Sequence, residues 1–290
     1  RPFFMTTAHT EEDLDFVVEA FRESVDFLQS SGIVPATAID GDVRGPRPLP
    51  FNQSQTEIWL ATRLSPEASR AFHEQVIYDL EGPVESAALR HAVPRVVHRH
   101  EGLRARENPD AEGWIIDPAR HVPVGEVDLT EVPQDRRDEE LARRIEADIG
   151  ADFDLVSGPL IRFTLFRTGE ERSTLVVTAH HMAVDGWSMG IVLSDLARYY
   201  RAARRMERFG EPATDTMTVF VTEEAEYLAS EPYRETQEFW VSQYRDSLPE
   251  PLHLPLDRPR PGSMSYHGGR QGIRFDPELV RRLEAFCSGR

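Results

Sequence analysis

His180 and His181 stand side by side, and Asp185 and Gly186 close the same short run, HHMAVDG. A neutral imidazole, with an unperturbed pKa of about 6.5, accepts a proton near neutral pH. That suits acyl transfer, in which an amine or hydroxyl sheds its proton as it attacks a thioester. A base placed in this way contributes about 10²–10⁴-fold in rate. A covalent acyl-enzyme is not suggested, and the chemistry fits direct attack of one bound substrate on another. Paired histidines also bind metals. Neighbours on a strand diverge, however, and neither a cysteine nor a nearby H-x-x-x-H accompanies this pair, so no metal is expected. Spacing alone leaves a second reading open, in which the pair is only a satisfied polar feature at a strand end.

The elements around the pair follow from periodicity. Leu175-Val176-Val177-Thr178-Ala179 reads as a strand running into the histidines. Side chains alternate along it, so His180 and His181 should face opposite ways and only one should reach a given cavity. Asp185 is close enough to orient the loop or a ring nitrogen. A helix from about 188 to 205, with Met189, Val192, Leu193, Leu196 and Tyr200 as its apolar stripe, should bring its positive N-terminal end to the site. Residues 159–167 pair with 173–179 as a hairpin about Gly169-Glu170. Further strands are expected at 74–81, 114–116 and 270–275. Helices are expected from a Ser54/Glu57 cap to about Leu64, over 84–99 with a kink at Pro94, around 141–149, and at 217–229, 234–247 and 277–287. The mixture implies an α/β (α+β layered) fold with a mostly antiparallel sheet. Upstream, residues 10–30 form one amphipathic helix, and 34–48 read as a Pro-rich linker.

Composition narrows the partners. The 290 residues carry a net charge of −17, which repels nucleic acid and anionic membrane alike. There is no lysine in the chain, so it cannot form a lysine Schiff base or perform pyridoxal-phosphate chemistry by itself. Its single cysteine, Cys287, excludes an internal disulfide and fits a reducing cytoplasm. The start, Arg1-Pro2-Phe3-Phe4-Met5, is not a signal peptide, and the chain reads as a cut from something longer.

With these residues in view, HHMAVDG (180–186) resembles the HHxxxDG signature of the condensation-domain superfamily of nonribosomal peptide synthetases. FNQSQTEIWLA (51–61), RHEGLR (99–104), FDLVSGPLIR (153–162) and LPLDRPRP (254–261) are similar, in the same order, to other motifs of that family. The resemblance implies a chloramphenicol acetyltransferase-like lobe, the first of two that flank a tunnel. Donor and acceptor carrier proteins would insert phosphopantetheine arms from opposite ends, and the domain would bind no cofactor of its own. His181 would be the functional histidine, as a base or as the group that positions the acceptor amine. Gly186 would lend a backbone N–H as oxyanion donor. His180 and Asp185 would be structural, with Asp185 paired to Arg99 or Arg104. Trp59 and Leu60 are expected in the core.

The second motif departs from the family pattern at Ala105-Arg106-Glu107, and the stretch from 49 to 290 is too short for both lobes. By itself it should not catalyse. Residues 1–33, through TTAHTEEDLDFVVEAFRESVDFL (6–28), resemble the C-terminal end of a class III aminotransferase of the glutamate-1-semialdehyde aminomutase type. Other readings kept open are an epimerization domain, a coenzyme A-dependent acyltransferase of the same superfamily, and a catalytically silent fragment that docks carrier proteins.

Overall fold

The structure is a computed structural model that describes residues 45–118, 120–207, 216–245 and 273–289, with short stretches between 247 and 268. The segment expected to resemble an aminotransferase end, and the expected linker up to residue 44, lie outside the described residues. Two sheets organise the rest. The larger has four strands, β2 (His73–Glu81), β7 (Arg172–His180), β6 (Ile161–Gly169) and β5 (Val124–Asp128), in the spatial order β2-β7-β6-β5. β2, β7 and β6 pair antiparallel, and β5 runs parallel to β6. The smaller sheet has the order β1-β4-β3, built from Arg47–Leu49, Trp114–Ile116 and Ala105–Glu107.

Helices cover both faces of the large sheet, and strand alternation sorts its side chains between them. Odd-numbered residues of the hairpin, among them Ile161, Phe163, Leu165, Leu175, Val177 and Ala179, face α3 (Ser86–Arg99) and α5 (Gly186–Arg205) in the main core. The even-numbered Phe166 and Val176 face α4 (Gln134–Gly150), which packs on them through Leu141 and Ile145. β7 is therefore buried on both faces from Ser173 to His180. Each fully buried Val, Leu or Phe in these layers contributes about 1.5–3 kcal/mol. A third cluster, with Trp114, Ile116, Phe153, Leu160 and Met182, joins the small sheet to the end of β7. The expected layered, mainly antiparallel fold is what the chain forms.

Several local expectations are corrected. The first helix, α1 (Gln53–Thr62), is capped by Asn52, whose carboxamide accepts from the Gln55 N–H while Gln55 reaches back to the Asn52 N–H. An Asn just upstream thus does the work assigned to Ser54. A short α2 (Pro66–Arg70) follows it. α3 runs unbroken through Pro94, because Val93, Val96 and Val97 around it are buried and their packing outweighs the roughly 3 kcal/mol a helix-interior proline costs. On α5 Tyr199 is the buried tyrosine and Tyr200 only half so. Leu60 is 56% exposed, while Trp59 is partly buried beneath the Arg63 guanidinium. Residues 273–276 form no strand. Strands β1, β3 and β5 have no counterpart in the sequence pattern. The last helices, α6 (Met217–Leu228), α7 (Glu231–Tyr244) and α8 (Pro277–Ser288), lie where expected. No described helix is long and apolar enough to cross a membrane.

Candidate active site

The two histidines part at the end of β7. His180, the even residue, is fully buried. Its Nδ1 accepts the Met182 N–H at 3.1 Å, so Nε2 carries the proton and faces Ser69 Oγ at 3.3 Å. Phe72, His73 and Phe153 surround the ring. Burial, helped by the neighbouring His73 and His181, pushes its pKa down to about 3. This ring is a neutral structural element.

His181 takes the other direction. Its N–H still donates to Phe72 O at 2.8 Å, one step beyond the β2–β7 ladder. Its side chain is 36% exposed and lines a cleft of about 640 Å³. Asn52 and Gln55, the Gly102 turn, Trp187 of α5 and Phe220 of α6 form other walls of that cleft. His181 Nε2 lies 3.1 Å from Glu74 Oε1 on β2.

The first two sequence motifs hold the loop 181–185 in place. Gln55 Nε2 donates to Met182 O at 3.3 Å, and its Oε1 accepts from the buried Trp114 indole at 3.0 Å. Residues 101–104 form a 3-10 turn against the loop. A Cβ on Gly102 would sit 2.8 Å from Ala183 O, so only glycine permits this approach. Glu101 is buried, ion-paired to Arg47 and accepting from the Thr218 N–H and hydroxyl at 3.0 and 2.9 Å. It thereby ties β1 and α6 to the same turn.

Asp185 does not pair with Arg99 or Arg104. It is the N-cap of α5, accepting from the Ser188 N–H at 2.7 Å and the Ser188 hydroxyl at 2.6 Å, and these bonds hold its carboxyl below the usual range. A capping carboxylate one residue before the helix is already engaged at close range, and the arginines turn elsewhere. Arg99 donates through Nε to Asp195 of α5 at 2.7 Å, and His100 Nε2 meets the same oxygen at 3.0 Å. Burial lowers the His100 pKa, and Asp195 opposes that shift. Arg104 is buried within the turn. Gly186 opens α5 beside the cleft, with open space where a side chain would be. Arg162 lies over the Phe153 ring at 3.9 Å and donates to Asp148 O, a packing role.

Sequence reasoning missed Glu74 and Asp195. Alternation could have found Glu74, which is opposite Ala179 and so shares a face with His181. Asp195 sits on the buried stripe of α5, where a carboxylate signals a buried cationic partner.

Comparison with known proteins bears on the family and the fold. The condensation-domain family model matches residues 47–290. Chondramide synthase of Chondromyces crocatus is 32% identical over 84% of this chain, which spans 6% of that protein. A linear gramicidin synthase of Brevibacillus parabrevis is 31% identical over 82% of the chain and 5% of its own length. Among solved structures, the first condensation domain of the calcium-dependent antibiotic synthetase superposes with a TM-score of 0.63 at 23% identity, over 72% of this chain and 51% of that one. The starter condensation domain of rhizomide synthetase, bound to C8-CoA, gives 0.62 at 21%, over 68% and 45%. These two likenesses show the fold, and the chain spans about half of each domain. By family match, fold and motif order, the chain belongs to the condensation-domain family of nonribosomal peptide synthetases.

Proposed function

We propose that this chain supplies the histidine-bearing half of a domain that forms amide bonds within a nonribosomal peptide synthetase or a hybrid polyketide–peptide synthetase. The acceptor amine attacks the carbonyl carbon of a donor acyl thioester. The C–N bond forms, the C–S bond breaks, and the proton lost by the amine ends on the departing thiol. His181 is the group at hand to take or steer that proton, and the N-terminal end of α5 near Gly186 favours negative charge on the carbonyl oxygen. Both substrates would arrive on phosphopantetheine arms of carrier proteins, with no cofactor held by the domain. The C8-CoA in the rhizomide synthetase structure, which carries the same arm, supports this. The tail at 1–33 would belong to an upstream aminotransferase-like domain, and the whole would work in the cytoplasm.

One observation carries the reading. Of two adjacent histidines, the first is buried completely and the second lines a cleft walled by the other motifs. The test is His181→Ala in the intact synthetase, with both carriers loaded. Single-turnover product should fall at least about 100-fold, the lower end of general-base catalysis, while thioester loading is unchanged. Undiminished product refutes the proposal.

A further inference from the structure

The cleft that His181 lines has apolar walls, with Ile58, Leu103, Val184, Ile191 and Phe220 among them. Several of its polar side chains are already engaged within the protein. Gln55 holds Met182 and Trp114, Glu101 holds Arg47 and Thr218, and Asp185 holds Ser188. A ligand in such a cleft is oriented by the few polar atoms left over. His100, on the same wall as Glu101, supplies one of them. Resting on the function proposed above, we infer that His100 is a substrate-binding residue, whose Nδ1 accepts a hydrogen bond from the amide N–H nearest the sulfur of a phosphopantetheine arm.

Backbone and side chain together fix the ring. His100 closes α3, its N–H donating to Val96 O at 3.1 Å, and its carbonyl accepts from the Leu103 N–H at 3.1 Å as the 3-10 turn begins. Its Nε2 is hydrogen-bonded to Asp195 Oδ2 at 3.0 Å. Asp195 is buried on α5, where it forms ion pairs with Arg99 and Arg198. A carboxylate only accepts hydrogen bonds, so Nε2 must carry the ring hydrogen, and the lone pair lies on Nδ1. Nδ1 has no partner among the described residues, and it is not one of the buried polar atoms left without one. It is therefore open, on a partly exposed ring that lines the cleft.

Burial pushes the His100 pKa down, and Asp195 opposes that only in part. The ring is neutral at neutral pH and a poorer base than a free imidazole. It suits accepting a hydrogen bond more than capturing a proton. An amide N–H is the matching donor, and every carrier-borne substrate brings one, whatever its acyl group. The inner amide of the arm is two carbons from the sulfur, so it enters the cleft together with the thioester. An ester oxygen in its place would meet Nδ1 lone pair to lone pair, and a site built around a hydrogen bond rejects an analogue that lacks the hydrogen.

The experiment gives the intact synthetase, its carriers without their arms, a donor and an acceptor as soluble pantetheine thioesters. In one analogue of each the inner amide N–H is replaced by an ester oxygen, so the two analogues separate the donor arm from the acceptor arm. For one of the two, kcat/KM for amide formation should fall about 5- to 10-fold, the worth of one neutral hydrogen bond. His100→Phe should lose a similar factor with the amide substrates and treat amide and ester alike, within about twofold, because the coupling has gone. His100→Gln should keep the discrimination, since its amide nitrogen can donate to Asp195 while its oxygen takes the place of Nδ1. Wild-type enzyme that treats both analogues like the amides overturns the inference, and needs no variant to fold. So does His100→Phe that discriminates as the wild type does. Failure of the function itself is read separately, from His181→Ala.

Discussion

Substituting Gly102 by alanine isolates the contact that holds the histidine loop. The backbone there is not in the left-handed region, so alanine is conformationally allowed and the effect is steric. Its Cβ would lie 2.8 Å from Ala183 O, where ordinary contact begins near 3.4 Å. The turn or the loop must yield by about 0.5 Å, and neither yields freely. Glu101 beside the glycine is tied to Arg47 and Thr218, and Ala183 is tied by its own N–H to His180 O. Forcing one extra methyl into so well packed a place costs about 1–3 kcal/mol. Gly190→Ala is the control. It lies inside α5 with nothing within 4 Å of its Cβ, and alanine should stabilise the helix there by about 0.8–1 kcal/mol. Urea unfolding of the 290-residue chain should shift the two midpoints in opposite directions. In the intact synthetase Gly102→Ala should also slow single-turnover amide formation, since half an ångström at a reacting group can cost an order of magnitude or more, while Gly190→Ala leaves it intact. Equal midpoints for the two variants would refute the steric argument.

Other expectations concern the same surroundings. His180 has a folded-state pKa of about 3 against 6.5 when free, so below pH 6.5 the unfolded chain binds a proton that the folded chain refuses. Stability is thereby lost as pH falls from 6.5 towards 3, by about 1.4 kcal/mol per pH unit for this ring. His180→Gln should flatten urea stability against pH by that slope, and parallel curves would contradict it. Asp195→Ala removes the shared partner of Arg99 and His100, all three largely buried. A loss of about 3–5 kcal/mol is expected in the same unfolding assay, and a loss below 1 kcal/mol would show that the cluster is solvated in practice.

The strands, the hairpin and the helix after it were legible because each is a periodic run with clear punctuation. Leu175–Ala179 alternates between two buried faces, and Met189, Val192 and Leu196 recur at helical spacing. The opposite facing of His180 and His181 followed from alternation alone. The misses share a physical cause. β1 and β3 are three residues long, with no period to read, and exist because β4 pairs with both. β5 pairs parallel to a strand more than thirty residues away, which local pattern does not encode. The partner of Asp185 was misjudged for a related reason. A resemblance pointed to a distant arginine, while the residue three positions ahead, Ser188, offered two donors at once. Glu74 and Asp195 are conspicuous only after the sheet and helix have placed them beside rings remote in sequence.

The β2–β7 ladder runs without a bulge from Glu81 opposite Arg172 to His73 opposite His180. Which imidazole enters the cleft is therefore a matter of odd and even count along that ladder. One residue deleted from β7 would carry the cleft-facing ring into the place among Phe72, His73 and Phe153 and push the other ring to the place of Ala179 in the main core. Both side chains would survive in the chain, yet the site would be lost. Length errors here should be far more damaging than most substitutions.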